Sequence, residues 1–381
     1  MPLILEFEGK QIFNKYKIPL LENKLVTSAE EAKETAVNMG FPVIIKAQVF
    51  SGGRGKRGLI KLAKTPEEVI QHSIDILSKE SDNRPVTHLL VEKGANIENE
   101  YFISMVFDMA SLDLLILFSV EGGVDIETLA EERPEAIDRI NIPFGSDIYP
   151  FQFFSTLAKR GLTGSIKIKI ASIIATLATM MQKEDLQLAE INPLVLTKEG
   201  EVIALDARVI VDDDAQFRHP DRKEFLSETT RYTPSEIDAR ENGLAYVDLG
   251  GDVGMLSVGA GLGMATADLI EVFGGTPRNF LDVGGGASED KVESALRIMV
   301  KDTGLKSILI NAFGGITRLD EIARGILIAI EKQNIQIPII IRLMGTNYKE
   351  GIEILKEAGY EAYEEMEPAI EAAVKASKGG L

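Results

Sequence analysis

The richest chemistry in this chain lies in Glu190, Asn192 and Asp206. Glu190 and Asn192 belong to the run Glu190-Ile191-Asn192-Pro193-Leu194-Val195, and Asp206 closes a second apolar run, Val202-Ile203-Ala204-Leu205-Asp206. The turn-like Lys198-Glu199-Gly200 between them makes the two runs the arms of a predicted β-hairpin. Such a hairpin sets an amide oxygen beside a carboxylate, hard ligands that Mg²⁺ accepts when substrate phosphates and water complete its octahedron. Alternation along the strand puts Glu190 on the face of Asn192, where a second acid can orient a reacting group or accept a proton. The bland alternative is a turn amide and a strand-end acid that merely satisfy backbone donors.

A second constellation supplies positive charge. The buried-strand pattern Val43-Ile44-Ile45 ends in Lys46 and continues into Ser51-Gly52-Gly53-Arg54-Gly55-Lys56-Arg57-Gly58. Glycines let backbone N–H groups approach an anion, and lysine and arginine bring charge to phosphate. Alone, the loop reads equally well as a solvated basic hairpin loop. Farther on, Leu89-Leu90-Val91 leads out to Glu92, with Ala95 and Glu100 beyond it. A carboxylate with neighbouring backbone groups can hydrogen-bond a base and ribose. In each other's company these segments point to a bound nucleotide.

The elements that must position them fall into two regions. Up to about residue 225 helical and alternating strand patterns are mixed, an α+β signature, with a helix predicted over Ala29 to Met39 and a strand over Pro42 to Ala47. The polar stretch Leu226 to Ser235 interrupts the pattern, so we expect one domain over 1–235 and another over 236–381. Beyond it, strand, glycine turn and amphipathic helix recur four times, with turns at Gly259-Ala260-Gly261-Leu262-Gly263, Gly284-Gly285-Gly286, Gly314-Gly315 and Gly345. That rhythm predicts a doubly wound parallel sheet whose ligands sit at the carboxyl ends of the strands. The triple glycine precedes a helix predicted from Glu289 to Val300, a ready anion site.

Composition excludes other classes. The chain has 381 residues, a 45% hydrophobic content and a net charge of −18, which works against non-specific binding to nucleic acid or an anionic membrane. It has no cysteine, which removes disulfides, thiolate zinc sites and thiol nucleophiles and is compatible with the cytoplasm. The amino-terminal segment lacks the pattern of a signal peptide. Apolar runs such as Leu114 to Phe118 and Pro338 to Ile341 are far shorter than the roughly 20 residues of a bilayer span and are predicted strands. His72, His88 and His219 each sit in a structural setting, so no reactive histidine is expected here.

Residues 43–58, Glu121-Gly122-Gly123-Val124-Asp125-Ile126-Glu127, 190–218 and 279–320 together resemble the nucleotide-binding β subunit of succinate–CoA ligase, ADP-forming type, essentially from end to end. The resemblance implies an ATP-grasp domain followed by a flavodoxin-like CoA-ligase domain. It implies that Lys46, Gly53, Arg54 and Gly55 hold nucleotide phosphates, that Glu92, Ala95 and Glu100 meet base and ribose, and that Asn192 and Asp206 hold Mg²⁺. Glu190 matches the acid that contacts a phosphohistidine. That histidine, and most of the CoA site, would lie on a partner α subunit, in an αβ or α2β2 assembly. Val258, Gly315, Ile316 and Thr317 match the substrate-contacting stretches. The family usually carries asparagine where Val258 stands, which leaves malate or citrate open beside succinate. Leu21, where GTP-using members tend to be polar, favours ATP. A catalytically silent nucleotide or acyl-CoA sensor is the rival from another class.

Overall fold

The computed structural model describes residues 3–81 and 84–380; Met1 and Pro2, part of the segment read for a leader, lie outside them. The chain divides into two compact units, one ending at Thr229 and one beginning at Thr230.

The first unit is α+β and carries two main antiparallel sheets. The smaller runs in the order Asn23–Val26, Leu89–Lys93, Val43–Ala47, Ile60–Ala63. Helix Ala29–Met39 forms because Ser28 Oγ caps it by accepting from Glu31 N, acids fill its first turn, and Gly40 (φ 77°) ends it. Its buried Ala32 and Ala36, with Val69 and Ile76 of helix Pro66–Leu77, pack in one core cluster with Val43, Ile45 and Ala47. Each fully buried branched side chain contributes roughly 1.5–3 kcal/mol. The strand is thereby a rigid mount, and alternation turns Lys46 to its other face.

The larger sheet has the order Val202–Ala204, Leu186–Thr197, Ile97–Asp108, Asp113–Ser119, Asp138–Pro143, with Arg208–Val211 also paired to Leu186–Thr197. Pairing of the long strand with Ile97–Asp108 shifts between Ile191 and Leu194, which leaves a bulge at Asn192 and Pro193. Proline has no N–H to give to the ladder, so a bulge accommodates it, and the bulge re-aims the side chain beside it. Helix Gly164–Lys183 is long and apolar enough to cross a membrane by length and composition alone. Here its Ile170, Ile174, Leu177 and Met181 are buried in the core cluster that holds Ile103, Met105, Ile116 and Ile191.

The second unit carries one sheet in the order Ala245–Asp248, Asn279–Asp282, Val253–Ser257, Ser307–Gly314, Ile339–Gly345, Ala362–Tyr363. All neighbours are parallel except the edge strand Ala245–Asp248, which runs antiparallel, an addition to the expected topology. Two separate apolar clusters cover it. One gathers residues of helices Glu289–Met299, Leu319–Gln333 and Tyr348–Glu357, the other residues of Ala260–Val272 and Met366–Ser377. All four glycine turns fall at the carboxyl ends of parallel strands. Gly345 (φ 129°) must be glycine, because a Cβ there would lie 2.1 Å from the carbonyl oxygen of Gly314.

Candidate functional site

Within the first unit a cavity of about 540 Å³ lies where ends and loops of the two sheets meet. Gly53, Arg54, Gly55, Glu190, Asn192 and Asp206, all selected from sequence, line it. The hairpin register pairs Leu194 with Ala204, and carried two residues further it sets Asn192 opposite Asp206. Asn192 Oδ1 accepts from Gly123 N at 2.8 Å, and its Nδ2 donates to Val124 O at 3.2 Å. Asp206 Oδ1 accepts from Arg54 Nη2 and from Ala207 N, both at 2.8 Å, leaving its other oxygen for the cavity.

Lys46 lies behind this lining in a buried ionic cluster. Its Nζ donates to Glu6 Oε1 at 2.9 Å and to Leu205 O at 2.6 Å, and pairs with Glu92 Oε2 at 2.5 Å. Lys10 joins the same two carboxylates, 2.8 Å from Glu6 Oε1, and donates to Leu205 O at 3.0 Å. Arg54 Nη1 reaches Glu6 Oε2 at 2.5 Å. Burial alone would raise the Glu6 carboxyl, yet the Arg54 guanidinium and the Lys10 and Lys46 ammonium groups hold it well below the usual carboxylate range. Burial likewise opposes the charge on Lys46 and Arg54, but the facing acids, Glu6 first, keep both firmly protonated.

Glu190 sits on the strand between the partners Ser104 and Arg208. Burial pushes its carboxyl above the ordinary value, against the pull of Arg208 and a hydrogen bond with Ser104. A half-buried acid of raised proton affinity at a cavity wall is suited to proton handling.

Glu92, Ala95 and Glu100 are not brought into this lining. Glu92 is 1% exposed and committed to the two lysines, while Ala95 and Glu100 are partly exposed on the loop and strand beyond it. Sequence reasoning missed Glu6 and Lys10, one turn apart on helix Glu6–Lys15. A Glu–Lys pair at that spacing is ordinarily a surface feature, and only burial gives it another meaning. It also missed Arg208, which lines the cavity.

The donor set fits magnesium. The amide oxygen of Asn192 and a free carboxylate oxygen of Asp206 are hard ligands on one wall, and the described residues contain no group of three or more acids, histidines or cysteines that could cage a metal alone. Mg²⁺ typically takes one or two protein oxygens and completes its shell with phosphates and water.

In the second unit the turns bind one another. Asp282 Oδ1 accepts from Gly259 N at 2.7 Å and Gly284 N at 2.8 Å, and Thr317 Oγ1 accepts from Gly286 N at 2.9 Å. Val258 is buried in the apolar core, and Thr317 is buried as well, whereas Gly315 and Ile316 stand exposed in the turn after the interior strand Ser307–Gly314, Ile316 at 89%.

A family model described as ATP-grasp domain matches residues 3–196, and one described as CoA-ligase matches residues 256–376. The β subunit of ADP-forming succinate–CoA ligase from Ignicoccus hospitalis is 40% identical to this chain over 98% of it and 99% of its own length. The chain belongs to the succinate–CoA ligase β-subunit family. It is thus an ATP-grasp subunit of a CoA ligase, an enzyme class that forms carbon–sulfur bonds. The GDP-forming succinate–CoA ligase β subunit from Thermus thermophilus is 41% identical over 92% of each chain. The solved ATP citrate lyase from Methanothrix soehngenii, in complex with citrate and coenzyme A, superposes with a TM-score of 0.78 over 98% of this chain and 99% of that one. At 19% identity this likeness is one of fold.

Proposed function

We propose that this chain binds Mg–ATP in the cavity of its first unit and, with an α subunit, joins succinate to CoA in the cytoplasm, the phosphate passing through a histidine of that partner. One observation carries the reading: the loop residues Gly53, Arg54 and Gly55 and the hairpin residues Glu190, Asn192 and Asp206, two segments far apart in the chain, line a single cavity. The backbone N–H groups of Gly53 and Gly55 and the Arg54 guanidinium hold the nucleotide's phosphates. Lys46, fixed by Glu6 and Glu92, supports the phosphate side from below. Ala95 and Glu100 meet base and ribose, and Glu92 contributes by holding Lys46. Asn192 and Asp206 would hold Mg²⁺, which when bound neutralises charge on the transferring phosphate. Glu190 meets the acceptor imidazole and adjusts its protonation. Splitting the condensation into phosphoryl and acyl transfers makes each step easier. Exposed Gly315 and Ile316, with Thr317 and Val258 behind them, form the β-subunit side of the carboxylate site.

The test is intact mass of the chain copurified with its α partner, before and after Mg–ATP, with acid lability of any added phosphate. An acid-labile phosphate on the partner alone, followed by a thioester with succinate, is the expected result. No phosphate on either chain overturns the ligase reading, and a thioester with malate or citrate but not succinate replaces the acid.

A further inference from the structure

Arg54 stands where both halves of a metal–nucleotide complex have to go. Its guanidinium spans two carboxylates, Nη1 to Glu6 Oε2 at 2.5 Å and Nη2 to Asp206 Oδ1 at 2.8 Å, with Nη1 also 3.3 Å from Ala47 O. The Arg54 side chain is only 10% exposed and its Nη2 is already bonded to Asp206, so a phosphate that takes over this bond displaces the carboxylate from it. Conversely, a cation approaching Asp206 meets a guanidinium already seated on it. Lys10, Lys46 and Arg54 stand against Glu6, Glu92 and Asp206, so the cluster has no unanswered charge to offer either ion alone.

The geometry points to Arg54 as a gate on Asp206: seated on Oδ1, its guanidinium opposes a cation at that carboxylate in the free protein and yields when a phosphate replaces Asp206 as its partner. This deepens the proposed Mg–nucleotide site and rests on that reading. The exchange is reciprocal. A divalent cation alone would strand a buried guanidinium without its second anion, and a polyphosphate alone would face the Asp206 carboxylate. Together they substitute for both partners at once, the cation on Asp206 and the phosphate on Arg54. Two sites linked in this way show a coupling that either ligand reports. Glu6 is the pivot, because it keeps hold of Nη1 while Nη2 changes partner. As a consequence the site rejects free divalent cation and free polyphosphate and admits their complex.

Binding by the full chain tests this, with Mn²⁺ alone followed by electron paramagnetic resonance and Mg-free ATP and Mn–ATP followed by calorimetry. Arg54→Gln is expected to bind Mn²⁺ alone at least about fivefold more tightly than wild type. Asp206→Asn is expected to lose Mn²⁺ but to bind Mg-free ATP at least about fivefold more tightly. Lys56→Gln removes the same charge from the cavity wall without touching Asp206, and a much smaller rise in Mn²⁺ affinity there separates gating from general electrostatics. Equal rises in the Lys56 and Arg54 variants, or no gain in either Arg54→Gln or Asp206→Asn, overturn the gate. Should Arg54→Gln fail to fold by circular dichroism, the Mg-free ATP result for Asp206→Asn decides. Failure of wild type to bind Mn–ATP removes the nucleotide reading and the gate together, whereas normal Mn–ATP binding with unmoved variants removes the gate alone.

Discussion

Asn192 is bolted to Gly123: its amide oxygen accepts the Gly123 N–H at 2.8 Å, while its NH₂ donates to the carbonyl of the next residue, Val124, at 3.2 Å. The bulge in the long strand thereby holds the loop that crosses the cavity. Gly123 has φ 68°, and a Cβ on it would fall 2.1 Å from Glu100 Oε2. The loop then enters helix Ile126–Glu132 through the Asp125 cap, and Asp125 also pairs with Lys56 at 3.1 Å. One amide therefore links the proposed metal wall to the glycine-rich loop.

Gly123→Ala tests that link. The left-handed backbone costs alanine about 1–2 kcal/mol, and the displaced loop should slow phosphotransfer roughly 10- to 100-fold. Urea denaturation and single-turnover phosphorylation measure the two effects. Unchanged values for both would mean that the loop is positioned by something other than Asn192.

Lys46→Met probes the buried cluster. It leaves Glu6 and Glu92 facing each other with Lys10 as the lysine they still share, and the loss of one partner from a buried set costs about 3–5 kcal/mol. Equilibrium unfolding should show that loss together with lost ATP binding. Full stability with lost binding would confine Lys46 to the ligand.

Glu190 gives a pH signature with a definite sign. Its folded carboxyl titrates above the ordinary value of about 4.5 because burial disfavours the charge. Such a group contributes stability that is present below the unfolded pKa and lost as pH rises through the folded one. Glu190→Gln should therefore match wild type in Tm near pH 4 and exceed it increasingly toward pH 7, while phosphotransfer falls. A Tm difference that is constant across this range would show that the acid is not strained by burial.

The isolated chain should bind Mg–ATP and form no thioester. Of the histidines, His219 Nε2 lies 2.7 Å from Asp185 Oδ2 and His88 Nδ1 2.9 Å from Thr87 Oγ1, and none lines the cavity. A coupled thioester assay with and without the α partner measures this, and ligase activity from the chain alone would place the acceptor here.

Much of the second unit was legible because its signal is local. A β-strand, a glycine turn and an amphipathic helix announce themselves within each repeat, and parallel pairing follows from their alternation. Antiparallel Ala245–Asp248 was not legible, since a short edge strand carries no mark of which neighbour or direction it takes. Val258 shows a further limit: its place in the chain matches a substrate contact, while packing puts its side chain in the core.

By itself the sequence determined the residue types able to handle phosphate and a hard cation, the hairpin that sets Asn192 against Asp206, and the absence of any thiol. These depend on side-chain chemistry and on short-range periodicity. Tertiary structure alone decided that Glu6 and Lys10 are buried beneath Lys46, that Glu92 serves the lysines and lies off the cavity wall, and that Arg54 closes on Asp206. Apart from the one-turn Glu6–Lys10 pair, those pairings join segments far apart in the chain, and their strength comes from exclusion of water, a condition no local pattern records.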